Sequence, residues 1–285
     1  MSLLEHRLFG RAPLKGLKAK ADIYLIAILM LHIAVILAGA LIPLKLGLYC
    51  IPFFFFTIFL YVTNYKCVSH NFIHNPFFES ESWNQNFSMA LSVGLGMPQT
   101  LVKLFHENHH RYNSDMQDLY SHKTKDWSSL YRYSDIAKQP ENFWSYTFKG
   151  IFRLDLKKIF AVAEEQGLKK QAQKEIILIT LIALIFLSVN FYGFVFFFLP
   201  TWFLGQCAFF AQTYMEHFRA VPGNRMTDSV SCYSTLYNLI WFNNGYHQEH
   251  HYKPTVHWND LKRVRLEMLP INERMVVKGS HWFNF

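Results

Sequence analysis

Apolar residues in this chain come in long unbroken blocks, and the blocks match the thickness of a bilayer. From Asp22 to Ile42 roughly twenty residues are almost all apolar, enough to cross a hydrocarbon core of about 30 Å as a helix. Pro43 to Gly47 predicts a tight turn, and the Phe-dense stretch from Leu48 to Thr63 predicts the return. Ile176 to Met215 carries no charge over about 40 residues, twice what one crossing needs. Asn190 to Gly193 is its turn-forming interruption. The pattern therefore predicts four spans, at residues 22–42, 48–63, 174–190 and 194–216, with Pro200 kinking the last.

The polar remainder, residues 64–173 and 217–285, reads as a helical cap. Within it Phe87 to Phe105 is semi-apolar but holds Gly94, Gly96 and Pro98, which suits a re-entrant or interfacial helix better than a span. Leu261, Val264, Met268 and Leu269 recur at helical spacing among Lys262, Arg263 and Arg265, a second interfacial pattern. Arg7, Arg11, Lys15, Lys18 and Lys20 precede the first span, opposed only by Glu5, which predicts a cytoplasmic N-terminus. Ala38-Gly39-Ala40 faintly resembles a signal-peptidase site, but the apolar run is too long for a signal sequence and reads as an uncleaved anchor. Four spans then place both termini and the cap on the cytosolic side. The expected fold is one all-α integral-membrane domain over residues 1–285.

Composition sharpens this. Hydrophobic residues make up 51%, aromatics 18% and charged residues 17%, against about 25% charged in soluble chains, which excludes disorder and disfavours a soluble globule. The net charge of +8 comes without any block of like charges, so nucleic acid is not the expected partner. Excess Lys and Arg fits a cytoplasmic face held against anionic lipid. Cys50, Cys67, Cys207 and Cys232 include no C-x-x-C and read as structural.

Histidine carries the chemistry. The clusters are His70-x-x-x-His74, His106-x-x-His109-His110 and His247-x-x-His250-His251. Residues three and four apart share a helix face, so each cluster aims imidazoles at a common point. One H-x-x-H-H arises by chance in about 3% of chains of this composition and two in well under about 0.1%. Each cluster lies just beyond the cytoplasmic end of an apolar block. His217 closes the fourth span at the same expected depth and joins them. So many imidazoles exceed what one zinc takes, and two metals of four or five ligands each fit. An open position beside an aromatic-lined apolar interior favours iron and oxygen chemistry on an aliphatic chain. Glu107, Asp115, Asp118, Glu216, Glu249 and Asp260 are the acids placed to hydrogen-bond the ligands' other nitrogens. His32, mid-way through the first span, is a candidate for the wall of a substrate cavity, or a buried hydrogen-bonded residue.

These residues resemble the integral-membrane fatty acid desaturase and hydroxylase superfamily. Its three histidine boxes look like His70-Asn71-Phe72-Ile73-His74, His106-Glu107-Asn108-His109-His110 and His247-Gln248-Glu249-His250-His251, in the same order and with a long apolar pair between the second and third. The resemblance implies a four-helix transmembrane stem under a cytosolic cap, a di-iron centre (two Fe2+ ions) using O2, and an acyl-chain substrate on a fatty acid, acyl-CoA, acyl carrier protein or lipid. Desaturation is the expected outcome; hydroxylation, ketolation and oxidative decarboxylation to a terminal alkene share the scaffold. Some animal acyl-CoA desaturases have a ligand Asn four residues before the isolated His. Thr213 stands there in this sequence, so the Glu216-His217 pair looks closer to the alkane hydroxylases. The stretch from Asn243 to His257 is similar to bacterial desaturase-like proteins, including alkene-forming ones.

Other classes fit these residues less well. His106-Glu107-x-x-His110 also satisfies the H-E-x-x-H zinc protease signature, but leaves the other two clusters without purpose. A carboxylate-bridged di-iron bundle needs two E-x-x-H repeats, and only Glu107-x-x-His110 is present. A membrane receptor or metal-handling protein without chemistry is the remaining class. With no flavin, nicotinamide or H-P-G-G fingerprint, electrons are expected from a separate ferredoxin or rubredoxin with its reductase. Lys123, Lys125, Arg132, Lys138, Lys157, Lys158, Lys169 and Lys170 are the basic residues that would meet such a donor or anionic headgroups. A bacterial inner membrane is the expected location.

Overall fold

The structure is a computed structural model that describes residues 16–41, 50–136 and 138–284. Arg7, Arg11, Lys15 and the turn expected from Pro43 to Gly47 lie outside the described residues. In chain order the helices are α1 (Asp22–Leu41), α2 (Cys50–His74), α3 (Glu81–Leu95), α4 (Gln99–Tyr112), α5 (Phe143–Lys149), α6 (Leu156–Glu165), α7 (Lys169–Val189), α8 (Phe191–His217), α9 (Thr235–Ile240), α10 (His247–Tyr252) and α11 (Leu261–Val264). Among the described residues, strand is confined to a parallel pair, β1 (Ser231–Cys232) and β2 (Val276–Val277).

Helices α1, α2, α7 and α8 are each long and apolar enough to cross a membrane. They expose large apolar side chains: Ile177, Leu181, Leu184, Ile185 and Val189 run down α7, and Ile51, Phe55, Phe56 and Phe59 down α2. Such surfaces belong in lipid, where the burial rule for water no longer holds. The chain is an all-α membrane protein, as its apolar blocks predict.

Two differences from the expected spans have local causes. The second span runs on to His74, because Asn64 to Asn71 contains no breaker and its two asparagines bond back onto their own helix. Asn64 donates to the Leu60 carbonyl at 2.9 Å, and Asn71 to the Cys67 carbonyl at 2.6 Å. Within this helix Asn64–Ser69 is wound as a π-helix, as is Phe194–Phe198 in α8. Pro200 follows the latter: lacking an N–H and crowding the carbonyl four residues back, it is accommodated by the wide turn ahead of it. Asn190 makes the expected break, accepting from the Gly193 N–H at 2.9 Å.

The chain forms two compact units, Met1–Lys103 with Leu156–Gln206, and Leu104–Asp155 with Cys207–Phe285. In the first, Leu25, Leu29, Leu60, Tyr61, Leu91 and Leu95 are almost wholly buried. Helix α7 is tied to α3 and to the start of α4 by buried Glu175, which accepts from Ser88 Oγ at 2.6 Å, Thr100 N at 2.8 Å and Thr100 Oγ1 at 2.9 Å. The stretch Phe87 to Phe105, expected as a re-entrant or interfacial helix, consists of parts of two helices, α3 and α4. Gly96 ends α3 in the left-handed region at φ 62°, a conformation glycine takes without strain. A Cβ there would stand 2.6 Å from the Trp202 ring, so close packing reinforces the choice.

In the second unit Leu130, Tyr131, Tyr146, Phe210, Tyr214 and Met215 form the core. The helix expected over Leu261 to Leu269 stops early. Only Leu261–Val264 is α-helical, a 3-10 turn follows at Arg265–Glu267, and Met268 turns extended ahead of Pro270. Leu261 and Val264 are buried in the unit, which takes half of the predicted apolar face out of any interface.

Candidate metal centre

Helix α4 places His106, His109 and His110 on successive turns, α10 places His247, His250 and His251, and the end of α8 places His217. All lie in the second unit, and six of them sort into two groups. Ligand nitrogens of His109, His217 and His251 lie within 4.8 Å of one another, as do those of His106, His110 and His250.

The first group shows what the arrangement can hold. His109 Nδ1 donates to Asp126 Oδ2 at 2.8 Å, and His217 Nδ1 donates to the Asp228 carbonyl at 2.9 Å. His251 Nδ1 lies 3.2 Å from Asn113 Oδ1 and 3.4 Å from Asp228 Oδ1. With protons committed to these outward oxygens, a neutral ring presents a bare lone pair at Nε2. Yet His109 and His217 bring Nε2 to within 3.1 Å of each other, and His247 Nε2 stands 3.3 Å from that of His217. Lone pairs repel at that range unless a cation lies among them. Nitrogens bound at about 2.1 Å around a tetrahedral metal are about 3.4 Å apart, so the spacing suits a divalent ion. Outward hydrogen bonds of this kind fix ligand orientation and raise basicity at metal sites.

In the other group His110 and His250 bring Nε2 to 3.0 Å, and the His106 and His110 rings are 4.5 Å apart, edge to face. His70 and His74 belong to the first unit, on the last turns of α2. His70 Nδ1 donates to the Lys66 carbonyl at 3.2 Å, and the two rings are 5.5 Å apart.

Acids divide sharply. Asp126 was not singled out by sequence, yet it orients His109. Burial would raise its carboxyl, but His109 and the Ser128 hydrogen bonds outweigh that and hold it at about 2. Asp228, also missed, is pushed up by burial to about 7, against the pull of His109 and Arg225. Asn113 is the third omission. Nothing in the local pattern marks these loop residues; only their partners do.

Among the expected acids, Glu216 is buried with its Oε2 3.8 Å from His247 Nε2, held by Gln212 at 3.2 Å and Asn244 at 2.7 Å. Asp115 acts one step back: it accepts from the backbone N–H of Lys125 and Asp126, shaping the loop that presents Asp126. Asp118 is exposed and accepts from Tyr120 and Ser121 in its own turn. Glu249 accepts from Ser231 at 2.7 Å, Tyr233 at 2.5 Å and Arg274 at 3.2 Å. Glu107 is half-buried on α4, and buried Asp260 lies 3.6 Å from Arg263.

The basic residues fall in both units. Lys123, Lys125 and Lys138 are exposed in the second, and Lys157, Lys158 and Lys170 in the first. Arg132 is spent on Thr124, and Lys169 pairs with Glu164 at 2.7 Å. All four cysteines are unpaired thiols, as their scatter predicts.

Over 209 residues the chain is 29% identical to the sphingolipid delta(4)-desaturase DES1 of Mus musculus, a match covering 70% of this chain and 58% of that protein. The chain thus spans less than two thirds of that relative's length. No solved structure matches it. Compared with known families, residues 48–278 match the one described as fatty acid desaturase. With that match running from the second span through all three histidine clusters, the chain belongs to the fatty acid desaturase family.

Proposed function

We propose that this protein desaturates an acyl chain at a pair of iron ions held by its histidines, with O2 as oxidant. The observation that carries the reading is the convergence of ligand nitrogens of His109, His217 and His251, with His247 Nε2 3.3 Å from that of His217, while Nδ1 of His109, His217 and His251 faces oxygen acceptors. We assign these four to one ion, and His106, His110 and His250 to the other, with His70 and His74 as its further ligands on the strength of the three-box order in the sequence. When bound, the metal pair supplies the activation of O2 that lets an unactivated C–H bond be oxidised.

The chain's own residues do the rest. Asp126, the Asp228 carbonyl and Asn113 hold the rings in orientation and keep the inward nitrogens free of protons. Glu216 and Asp228 bring negative charge to a site whose ligands are neutral. The apolar spans take up the acyl chain and exclude water. Electrons come from a separate donor of the ferredoxin or rubredoxin class, for which Lys123, Lys125 and Lys138 on one unit and Lys157, Lys158 and Lys170 on the other offer basic surface. Both termini lie in the cytoplasm, and the membrane is a bacterial inner membrane.

The substrate is a fatty acid or an acyl chain on CoA, carrier protein or lipid. Hydroxylation or decarboxylation to a terminal alkene would use the same ligands with a differently placed carbon. The decisive experiment is expression with isotope-labelled fatty acids, mass spectrometry of the products and metal analysis of the purified protein. About two irons per chain and a labelled alkene within the acyl chain are expected. An active protein carrying one zinc and no iron would overturn the assignment.

A further inference from the structure

Two histidines outside the clusters and His217 are fully buried, His32 in the first unit and His281 in the second. His32 meets the Tyr61 ring edge-on and lies 3.1 Å from Asn64 Nδ2, a packed and hydrogen-bonded residue. His281 sits in a 3-10 turn, His281–Phe283, with its ring 6.3 Å from that of His247. Its Nε2 faces the Val230 carbonyl at 2.9 Å, and its Nδ1 the Tyr237 hydroxyl at 2.9 Å. A carbonyl only accepts, so Nε2 carries the proton. A buried neutral ring then accepts at Nδ1, and Tyr237 Oη donates to it. With its proton spent, that oxygen can only accept, which it does from Gln212 Nε2 at 3.1 Å. The same Nε2 donates to Glu216 Oε1 at 3.2 Å. One backbone carbonyl thus sets every direction in the chain. Val230 also donates its own N–H to the Glu216 carbonyl at 2.7 Å, so the chain closes on the residue where it ends.

A side-chain amide can sit either way round, and Gln212 sits the costly way. Its Oε1 is buried with no hydrogen-bond partner among the described residues, a state native folds rarely keep. Reversal would aim that oxygen at the Glu216 carboxylate and at a tyrosine oxygen whose proton is committed to His281. We propose that His281 and Tyr237 are positioning residues that lock the Gln212 amide with its N–H on Glu216. They thereby fix a carboxylate whose other oxygen, Oε2, lies 3.8 Å from His247 Nε2. Neutral imidazoles leave a divalent ion uncompensated, and a carboxylate contributes most to such a site when it cannot turn away. Asn244, donating to the same Oε1 at 2.7 Å, holds it from the other side. This role rests on the metal-centre reading above, whatever reaction the ions perform.

Cobalt(II) bound to the metal-stripped protein, and its retention against a graded chelator series, tests the role without turnover. Tyr237→Phe keeps the ring and removes the oxygen that holds Gln212. It should weaken retention roughly tenfold, the low end for residues that orient metal-site groups, and His281→Leu should do the same. His281→Gln keeps one donor and one acceptor and should restore retention. A cycle with Glu216 separates positioning from packing. In a Glu216→Gln background Tyr237→Phe should cost nothing more, because its effect reaches the metal only through that carboxylate. A loss as large as in the wild type would make Tyr237 a packing residue and overturn the proposal. Retention by Tyr237→Phe equal to wild type overturns it too. If Tyr237→Phe does not fold, Gln212→Met interrupts the same chain and carries the same expectations. Wild-type protein that binds no cobalt would overturn the metal centre itself, and this role with it, a result distinct from the others.

Discussion

Asp126 accepts the Nδ1 proton of His109 at 2.8 Å, from a loop whose own backbone is gathered by Asp115. That bond decides which nitrogen of His109 faces His217. We expect Asp126→Asn to weaken metal binding by about 10–100-fold, because an amide can offer either end to the ring and no longer favours the cationic site. Iron retained after dialysis against a graded chelator series measures this; retention equal to wild type would remove Asp126 from the site.

His217 is the proposed ligand that stands outside the three clusters. His217→Ala should lower metal content together with turnover, and His217→Gln should not restore either, since an amide presents no equivalent lone pair at the position of Nε2. A Gln variant with normal iron and activity would leave the histidine as a buried packing residue and the site with eight ligands.

The carboxyl of Asp228 gives the metal-stripped protein a signature in pH. Burial raises it from its ordinary 3.8 to about 7, so the fold favours its protonated form. A raised carboxyl contributes stability that is complete below its unfolded value and is lost as pH rises through the folded value. The share of the stripped protein's stability that Asp228 contributes should therefore fall between about pH 4 and pH 7, and the difference in melting temperature between wild type and Asp228→Asn should track that fall. An unchanged slope in the variant would assign the pH dependence elsewhere.

Gly245, just ahead of α10, packs against backbone. A Cβ there would collide with the Cys232 carbonyl and stand 2.6 Å from Asn238 Oδ1. Gly245→Ala should cost roughly 1–3 kcal/mol and displace His247, His250 and His251 together. Chemical denaturation reads the first effect and metal content the second; loss of stability with full metal occupancy would show the third cluster to be independent of this contact.

The spans and the histidine clusters were legible because each is a periodic signal repeated along the chain. What was not legible is partnership. Asp118 and Asp126 stand in the same polar segment with nothing local to separate them, yet one caps a surface turn and the other orients His109. The difference comes from Asp115 and Ser128, which fold the loop back onto α4. Similarly Asn64, Lys66, Ser69 and Asn71 look like the start of a loop, and the helix survives them because Asn64 and Asn71 satisfy themselves on carbonyls four residues back. Met268 and Leu269 kept the helical period of Leu261 and Val264, but Pro270 outweighed it.

The two membrane-length helices that carry histidines at their ends, α2 and α8, are also the two that contain π-wound segments, at Asn64–Ser69 and Phe194–Phe198. One extra residue in a helical turn rotates everything beyond it by about 100°. These segments therefore act as phase shifters: they let an apolar stripe face lipid along one part of the helix while the histidines beyond point elsewhere. Angular phase, unlike hydrophobicity, is counted in whole residues. Deleting Val68 from Asn64–Ser69 would leave the composition of α2 nearly unchanged and still turn His70 and His74 by about 100° relative to the span before them.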